Sequence, residues 1–237
     1  MEKFKADFIQ TFIDGNRWKA LLNGLGVTLE VTFLALLIGA VLGVLVAVIR
    51  SSHDQMEMQH KKNTGLSILN GICQLYLTVI RGTPVMVQLL IMYFVIMSSS
   101  TNTILVATLS FGINSGAYVA EIIRSGIMSV DKGQMEAGRS LGLSYVQTMS
   151  HIIIPQAIRN ILPALGNEFI ALLKETSIVN VIGMKDITKW AMNVQGRTYQ
   201  AFMPFLGIAA VYLILVIGLS KLVSLLERRM NPDAKDR

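Results

Sequence analysis

Long apolar runs separated by short polar stretches dominate this chain. Three windows, residues 31–49, 82–120 and 198–220, contain no Asp, Glu, Lys or Arg. A helix that crosses a bilayer needs about 20 apolar residues, whereas the core of a soluble domain needs no windows of this length. The pattern predicts an all-α membrane protein, a single transmembrane domain over residues 1–237. Its five transmembrane helices are predicted at 22–49, 66–97, 103–123, 152–173 and 202–222.

The first two spans carry further information. The first apolar run lacks a cleavage site of small residues, so it is predicted to be a retained anchor and not a secretory signal. The second, at 66–97, is too long for one perpendicular crossing at about 1.5 Å per residue, and Pro84 offers a place to bend. A polar loop, 51–62, is predicted between the two. Glycine pairs typical of closely packed membrane helices occur at Gly39 with Gly43 and at Gly112 with Gly116.

The composition agrees with a membrane location. Hydrophobic residues make up 52% and charged residues only 15% of the chain, compared with about 25% charged residues in soluble domains. The net charge of +6 is interpreted as basic residues that flank membrane spans, and no nucleic-acid partner is expected. Cys73 is the only cysteine, which excludes a disulfide within the chain. The histidines lack a metal-binding spacing, so no metal is expected.

Five spans place the two ends of the chain on opposite sides of the membrane. Lys and Arg are modestly more numerous on the inner side when the C-terminus is cytoplasmic, which favours an N-out, C-in orientation. The segment 124–151 then lies in the cytoplasm. The inner basic residues include Arg50, Lys61, Arg124, Lys235 and Arg237.

The segment 124–151 carries an acid, small residues and a glycine at regular spacing. Residues at every fourth position, Ala137, Leu141, Tyr145 and Met149, are predicted to line one face of a helix. Gly142 interrupts this face and permits a bend. The residues alone fit two interpretations. One is a short helix that docks into a partner, and the other is an ordinary amphipathic helix on the membrane surface.

Two further features favour docking. Glu136, near the predicted helix start, is favoured by the helix dipole and can pair with a cation on a partner. Ala137 and Gly138 are small enough to let another backbone approach closely. Together these features are typical of a knob-like helix that fits a groove.

The spacing of this segment resembles a known signature, the loop of ABC-importer permeases. That loop reads Glu-Ala-Ala, three residues, Gly, nine residues, Ile, one residue, Leu-Pro. Here Glu136-Ala137-Gly138 is followed by Gly142, then Ile152, then Ile154-Pro155. Gly138 replaces an Ala and Ile154 replaces a Leu, and both changes are conservative.

Further stretches resemble the branch of these permeases that carries polar amino acids, and the resemblance covers residues 22–230. It implies the type I ABC-importer permease fold, with a cytoplasmic coupling helix. It also implies a second permease subunit, identical or different, that lies with this chain in the lipid bilayer. Two cytoplasmic ATPase subunits and an extracytoplasmic amino-acid-binding protein or domain are the other implied partners. The matching stretches include Arg81-Gly82-Thr83-Pro84, Asn114-Ser115-Gly116-Ala117-Tyr118 with Glu121 and Arg124, and Leu173-Lys174-Glu175-Thr176-Ser177.

The resemblance also assigns the contact with the ATPase. The residues expected to make it are Glu136, Ala137, Gly138, Ser140, Leu141 and Gly142. The chain contains no Gly-x-x-x-x-Gly-Lys-Ser/Thr phosphate loop, the motif that cradles nucleotide phosphates. It is therefore expected to have no catalytic residues and to bind no cofactor, with ATP and Mg held by the partner ATPase.

Polar residues within the spans are candidates for the substrate path: Glu168, Asn167, Gln88, Asn114, Tyr118 and Arg81. Glu168 is the strongest candidate, because an ionisable residue within a span is energetically costly and therefore indicates a function. Its carboxylate suits an ammonium or guanidinium group. Related permeases for cationic amino acids often carry an acid near this point. The alternatives for Glu168 are a structural pair with a basic residue and a position near the outer interface. Arg81 faces a substrate carboxylate, anchors the inner end of the second span or pairs with an acid. The other polar residues alternatively make interhelical hydrogen bonds.

These observations predict the permease subunit of an ATP-driven importer of polar amino acids, with basic ones favoured, in the cell membrane of a prokaryote. An ion-coupled secondary carrier for a small polar solute is the alternative, although such carriers normally show two related halves. A membrane-embedded enzyme would need convergent catalytic side chains, and the sequence offers only scattered ones.

Overall fold

The computed structural model describes residues 2–58, 60 and 62–230, and every regular element in this part of the chain is helical. Part of the predicted loop 51–62, and the basic residues Lys61, Lys235 and Arg237, lie outside the described residues. The α-helices are α1 (Glu2–Phe8), α2 (Arg17–Met58), α3 (Thr64–Gly82), α4 (Val85–Ile91), α5 (Thr103–Met128), α6 (Lys132–Ser140), α7 (Tyr145–Thr148), α8 (Ile154–Glu175), α9 (Ile187–Thr198) and α10 (Phe202–Met230). Short π-helical turns occur at Ile9–Ile13, Met92–Ile96 and Met149–Ile153, and 3₁₀ turns at Asp14–Asn16 and Thr176–Ile182.

The first long helix exceeds its predicted span at both ends. α2 begins at Arg17 and continues to Met58, so most of the predicted loop 51–62 is helical. This stretch contains no glycine or proline, and it includes Gln55, Met56 and Glu57, which are good helix formers. The helix can therefore continue beyond the apolar run, and the prediction of a loop directly after that run was wrong.

The second apolar segment is broken where it was predicted to bend. α3 ends at Gly82, and α4 begins at Val85. Between them Thr83 (φ -122°, ψ 147°) and Pro84 (φ -64°, ψ 134°) have extended backbone. Proline lacks a backbone N–H and disfavours helical conformation at the preceding residue, which explains the break.

Three described helical stretches are long and apolar enough to cross a membrane: Glu2–Glu57, Thr103–Met128 and Phe202–Met230. The bent pair Thr64–Gly82 and Val85–Ile96 brings the number to four if it forms one span. The predicted span 152–173 is helical as α8 but is not among these stretches. It carries Arg159, Asn160, Asn167 and Glu168, which lower its apolar content. Five crossings therefore stay a prediction.

Residue contacts divide the chain into two units, and α2, α5, α8 and α10 contribute to both. The first unit comprises Met1–Leu37, Pro84–Gly112 and Phe169–Gly218. Its main apolar cluster includes the buried residues Val31, Leu89, Phe111, Leu172 and Met184. In a second cluster the ring of Trp190 stacks on Phe12 with 5.6 Å between centroids. The Trp190 indole N–H also donates a hydrogen bond to the Arg17 carbonyl oxygen at 2.9 Å.

The second unit comprises Ile38–Thr83, Ile113–Glu168 and Leu219–Arg237. Gly39 and Gly43 let α2 approach α5 closely in this unit. A Cβ added at Gly39 would lie 2.8 Å from the Ser115 Cβ, and one at Gly43 would lie 2.5 Å from the Val119 Cγ1. Both distances are too short for any side chain, so the close packing predicted for this glycine pair is confirmed.

Candidate functional site

The helix that carries most of the predicted coupling residues, α6, is fixed at both ends by its own sequence. At its start, the Asp131 carboxylate accepts a first-turn backbone N–H at 2.6 Å. At its end, Gly142 adopts left-handed backbone with φ 83°. The Gly142 N–H donates to the Arg139 carbonyl and the Leu143 N–H to the Gly138 carbonyl, both at 3.1 Å. These two bonds form the Schellman motif that ends helices at glycine, so Gly142 turns the chain as predicted.

A capping box at Ser144 starts α7. The Ser144 hydroxyl accepts the Gln147 N–H at 3.2 Å, and the Gln147 side chain accepts the Ser144 N–H at 2.8 Å. A left-handed glycine and an extended serine therefore separate α6 from α7. The four residues predicted to line one helix face, interrupted at Gly142, therefore lie on separate elements, because Ala137 belongs to α6 and Tyr145 to α7.

Gly138 packs α6 against the segment that follows it. The residue is buried, and an added Cβ would lie 2.5 Å from the Thr148 Cγ2 and 3.3 Å from the Ile152 Cδ1. The sequence suggested that this small residue admits the backbone of a partner. The space beside it is instead filled by Thr148 and Ile152 of the same chain. Gly138 thus packs α6 against Thr148 and Ile152 of the same chain.

The remaining predicted coupling residues are exposed. Glu136, Ala137 and Ser140 lie exposed on α6, and Leu141 at its end is 81% exposed. Val146 on α7 is 70% exposed; sequence reasoning missed it, and its only signal is an apolar side chain in a polar segment. We call these five residues the coupling surface. Exposed apolar side chains next to an acid, on firmly capped helices, are typical of a protein interaction site.

The end of α2 beyond the apolar run supports α7. The Tyr145 side chain forms a hydrogen bond with Ser51, which opposes the rise in the pKa of Tyr145 that burial causes. An apolar groove of about 410 Å³ lies beside this contact. It is lined by α2, α5, α7 and α8, including Val44, Ile123 and Tyr145, and by Met149 of the π-helical turn after α7. The stretch that was predicted to be a loop is therefore part of the scaffold of the coupling segment.

Glu168 is held by a buried hydroxyl. The Ser115 Oγ donates a hydrogen bond to the Glu168 Oε1 at 2.8 Å. Ser115 and the neighbouring Asn114 are buried, whereas Glu168 is only partly buried and Asn167 is exposed. The Glu168 carboxylate is thus oriented by a hydrogen bond from α5.

Arg81 lies in a cluster of charged side chains. Its Nη1 is 3.6 Å from the Glu121 Oε2, and the Arg50 Nη1 is 4.0 Å from the same oxygen. The Arg124 Nε is 3.5 Å from the Glu121 Oε1. Arg81 also lies over the ring of Tyr118, 5.8 Å from its centroid. Of the interpretations of Arg81, pairing with an acid is observed, through Glu121. Glu121 was not selected as a site residue, although it is the acid that ends the window 82–120.

The candidates for the substrate path fall into separate groups. Gln88, on α4, belongs to the first unit, and the other candidates belong to the second. Within the second unit, Glu168 accepts a hydrogen bond from Ser115, which is next to Asn114. Arg81 contacts the ring of Tyr118.

Among the described residues, one group of side chains has ligand atoms close enough together to hold a metal ion. It consists of a histidine and two carboxylates near the end of α2. Ligand atoms of His53, Asp54 and Glu57 lie within 4.8 Å of one another. The His53 Nδ1 is 3.8 Å from the Asp54 Oδ1 and 4.0 Å from the Glu57 Oε2. Both carboxylates are well exposed. Surface groups of this kind are common without an ion, so we interpret the cluster as ion pairs that depend on histidine protonation.

These features together define a class of protein. Long apolar helices place the chain in a membrane, and the more polar helix α8 carries a carboxylate anchored by a serine of α5. A capped helix–turn–helix between α5 and α8 exposes apolar and acidic side chains. This is the organisation of a helical membrane subunit of a transport system.

Comparison with known proteins identifies the family. Residues 65–232 match the family described as "Binding-protein-dependent transport system inner membrane component". The chain is 38% identical over 213 residues to a putative glutamine transport system permease protein, GlnP, of Rickettsia typhi, covering 89% of this chain and 92% of the relative. It is 34% identical over 214 residues to the arginine transport system permease protein ArtQ of Bacillus subtilis, with 89% and 92% covered.

A solved structure supports the same family assignment. The structure described as "Crystal structure of an amino acid ABC transporter with histidines" superposes with a TM-score of 0.81 at 44% identity, covering 89% of this chain and 94% of that chain. The chain therefore belongs to the family of binding-protein-dependent transport system inner membrane components.

Membership confirms several predictions at once. The chain is a multi-pass membrane permease subunit with the helical fold of ABC-importer permeases. The alternative of an ion-coupled secondary carrier is excluded, because members of this family are components of binding-protein-dependent systems.

Proposed function

We propose that this chain is the permease subunit of an ATP-driven importer of polar amino acids, with basic ones favoured. The substrate class is supported by relatives named for glutamine and arginine transport, and by the similar solved transporter that contains histidines. The observation that carries the proposal is the coupling surface, with Leu141 81% exposed on a firmly capped helix. An exposed apolar side chain beside an acid on a capped helix suits a groove on a partner.

The proposed importer has more than one kind of subunit. It contains a second permease, identical or different, and an extracytoplasmic binding protein or domain. Two cytoplasmic ATPase subunits hold ATP and Mg and perform the hydrolysis, and this chain contributes no catalysis. The N-terminus lies outside and the C-terminus inside, so that the coupling surface faces the ATPase.

The movement of the ATPase subunits is transmitted to the permease at the coupling surface. Glu136 offers a carboxylate to a cation of the ATPase, and Leu141 fills an apolar groove there. Gly138 packs directly on Thr148 and Ile152, and the π-helical turn that contains Ile152 leads into α8. A displacement of α6 is therefore passed to α8, because packed interiors transmit strain and deform little.

Substrate recognition is proposed at Glu168 of α8. Its carboxylate, oriented by the Ser115 hydroxyl at 2.8 Å, is an acceptor for the guanidinium, ammonium or imidazolium group of a basic amino acid. The same helix thus carries the movement from the ATPase and the contact with substrate. Binding and release of the amino acid are linked to ATP through this shared element.

The proposal is tested by reversing the charge of Glu136. The complex is purified through a tag on the permease, and uptake is measured in proteoliposomes that contain ATP. Glu136→Lys should lose the ATPase and reduce ATP-driven uptake at least tenfold, because a repulsive contact replaces a charge-assisted one.

Glu227→Lys provides the matched control, since Glu227 is also exposed but lies on the last turn of α10. It should keep both the ATPase and the uptake. Uptake that runs on an ion gradient with no ATPase present would contradict the proposal.

A further inference from the structure

The cluster formed by Arg50, Arg81, Arg124 and Glu121 carries more positive charge than its one carboxylate balances. Three guanidinium groups surround Glu121 at 3.5–4.0 Å, longer than the 2.7–2.9 Å of a charge-assisted hydrogen bond. Arg50 and Arg81 also line the cavity beside the cluster. Their guanidinium groups therefore have donors that can reach a second anion. We call these four residues the arginine cluster.

A cavity opens at the arginine cluster. It has a volume of about 520 Å³ and is lined by Arg50, Arg81 and Glu121, together with Gln74 and Thr78 of α3. This volume accommodates a phosphate group, and guanidinium groups bind phosphate oxygens in a favourable planar geometry. Polar side chains from α3 extend the site beyond the charged residues.

The position of the cluster along the chain indicates which phosphate it meets. Arg50 follows the charge-free window 31–49, and Glu121 follows the window 82–120. Charged residues at the ends of apolar spans lie at the level of the lipid headgroups. Next to the polar cavity residues of α3, Leu75 is 65% exposed and Val79 is 49% exposed. Apolar surface suited to acyl chains thus adjoins a cationic cavity suited to a headgroup.

We propose that the arginine cluster binds the phosphate of an anionic phospholipid, whose acyl chains lie along the exposed side of α3. Basic pockets between membrane helices are a general mode of headgroup recognition. A bound phosphate supplies the anion that Glu121 alone does not provide, and so fixes the end of α3 to α2 and α5. The site does not depend on the transported substrate or on the ATPase.

The test measures lipid retention by the purified full-length protein in native mass spectrometry. The protein is titrated with phosphatidylglycerol and with phosphatidylcholine of the same acyl chains. The double variant Arg50→Gln/Arg81→Gln, which removes both arginines that line the cavity, should weaken binding of phosphatidylglycerol by about fivefold for each arginine removed. It should leave binding of phosphatidylcholine unchanged. The double variant Arg159→Gln/Lys221→Gln, which removes the same charge from exposed sites elsewhere, should behave as the wild type.

The variant Glu121→Gln distinguishes a specific change in lipid binding from a general loss of structure. This change removes the competing carboxylate and should strengthen the retention of phosphatidylglycerol, whereas a loss of structure would weaken it. The proposal is overturned if the arginine variant keeps wild-type binding, or if Glu121→Gln weakens it. It is also overturned if inorganic phosphate at equal concentration displaces the lipid, since the site would then serve free phosphate.

Discussion

At the scale of single residues, two positions combine a simple sequence signal with a defined role. Glu168 stands out in the sequence as an acid within an apolar span, and its hydroxyl partner Ser115 is known only from the structure. Gly138 stands out as a departure from the family signature, and its closeness to Thr148 explains why a glycine fits there.

The charge of Glu168 is the property that we expect to matter for transport. Glu168→Gln keeps an oxygen that accepts the Ser115 hydrogen bond but loses the charge, so uptake of arginine or histidine should fall at least tenfold, since bonds to charged groups contribute about 1.5–3 kcal/mol. Uptake kinetics in proteoliposomes measure the effect. Glu168→Asp, which keeps the charge, should retain more activity. Unchanged kinetics in the Gln variant would remove Glu168 from the substrate site.

The close contact at Gly138 makes a prediction about stability. Gly138→Ala places a Cβ 2.5 Å from the Thr148 Cγ2, and overpacking of this kind costs about 1–3 kcal/mol. Thermal unfolding of the detergent-purified protein should show a lower midpoint. Adding Thr148→Ala removes the opposing atoms and should recover part of the loss. Gly71→Ala is the control, because an added Cβ at Gly71 meets nothing within 4 Å.

At the scale of elements, local sequence signals decide where the helices of the coupling segment start and stop. Asp131 and Ser144 cap two helices, and Gly142 ends the first one with φ 83°. The result is a rigid turn that holds Leu141 outward. In α2 such stop signals are missing after the apolar run, and the helix continues to Met58.

Mutations at this turn can distinguish the proposed contact of Leu141 with the ATPase from the backbone conformation of Gly142 that positions it. Leu141→Ser should leave the unfolding midpoint unchanged, because Leu141 is 81% exposed, yet it should reduce the ATPase that co-purifies with the permease. Gly142→Ala should lower both, since a left-handed conformation costs a non-glycine residue about 1–2 kcal/mol. Gln134→Ser, at another exposed position of α6, should change neither. If Leu141→Ser captures as much ATPase as the wild type, Leu141 is not part of the contact.

At the scale of the whole molecule, orientation in the membrane links the proposed sites to their partners. The described residues contain three helical stretches suited to crossing, or four with the bent pair. The fifth predicted crossing, α8, carries Glu168 and the exposed Arg159, and polar residues of this kind are costly in contact with lipid.

Cysteine labelling tests the orientation, because Cys73 is buried and is the only cysteine. In a Cys73→Ala background, Gln134→Cys should react with a membrane-impermeant maleimide only after the cells are opened. Ser99→Cys should react in intact cells. Both positions are exposed, so burial does not confound the comparison. Labelling of Gln134→Cys in intact cells would place the coupling surface outside and contradict the proposed role.

The sequence alone determined the features that depend on neighbouring residues and on solvent. Apolar windows predicted the membrane helices, Pro84 predicted the break after α3, Gly142 predicted the turn after α6, and the motif spacing predicted the family. Each of these follows from hydrophobicity or backbone preference within a few residues.

The tertiary structure alone decided which distant side chains meet. It assigned Gly138 to an internal contact, gave Glu168 its Ser115 donor, and gathered three arginines from α2, α3 and α5 around Glu121. The contacts of Glu168 with Ser115, and of Arg50 and Arg81 with Glu121, join residues far apart in the chain. They depend on how whole helices pack, and hydrophobic periodicity within a single helix does not specify its partner.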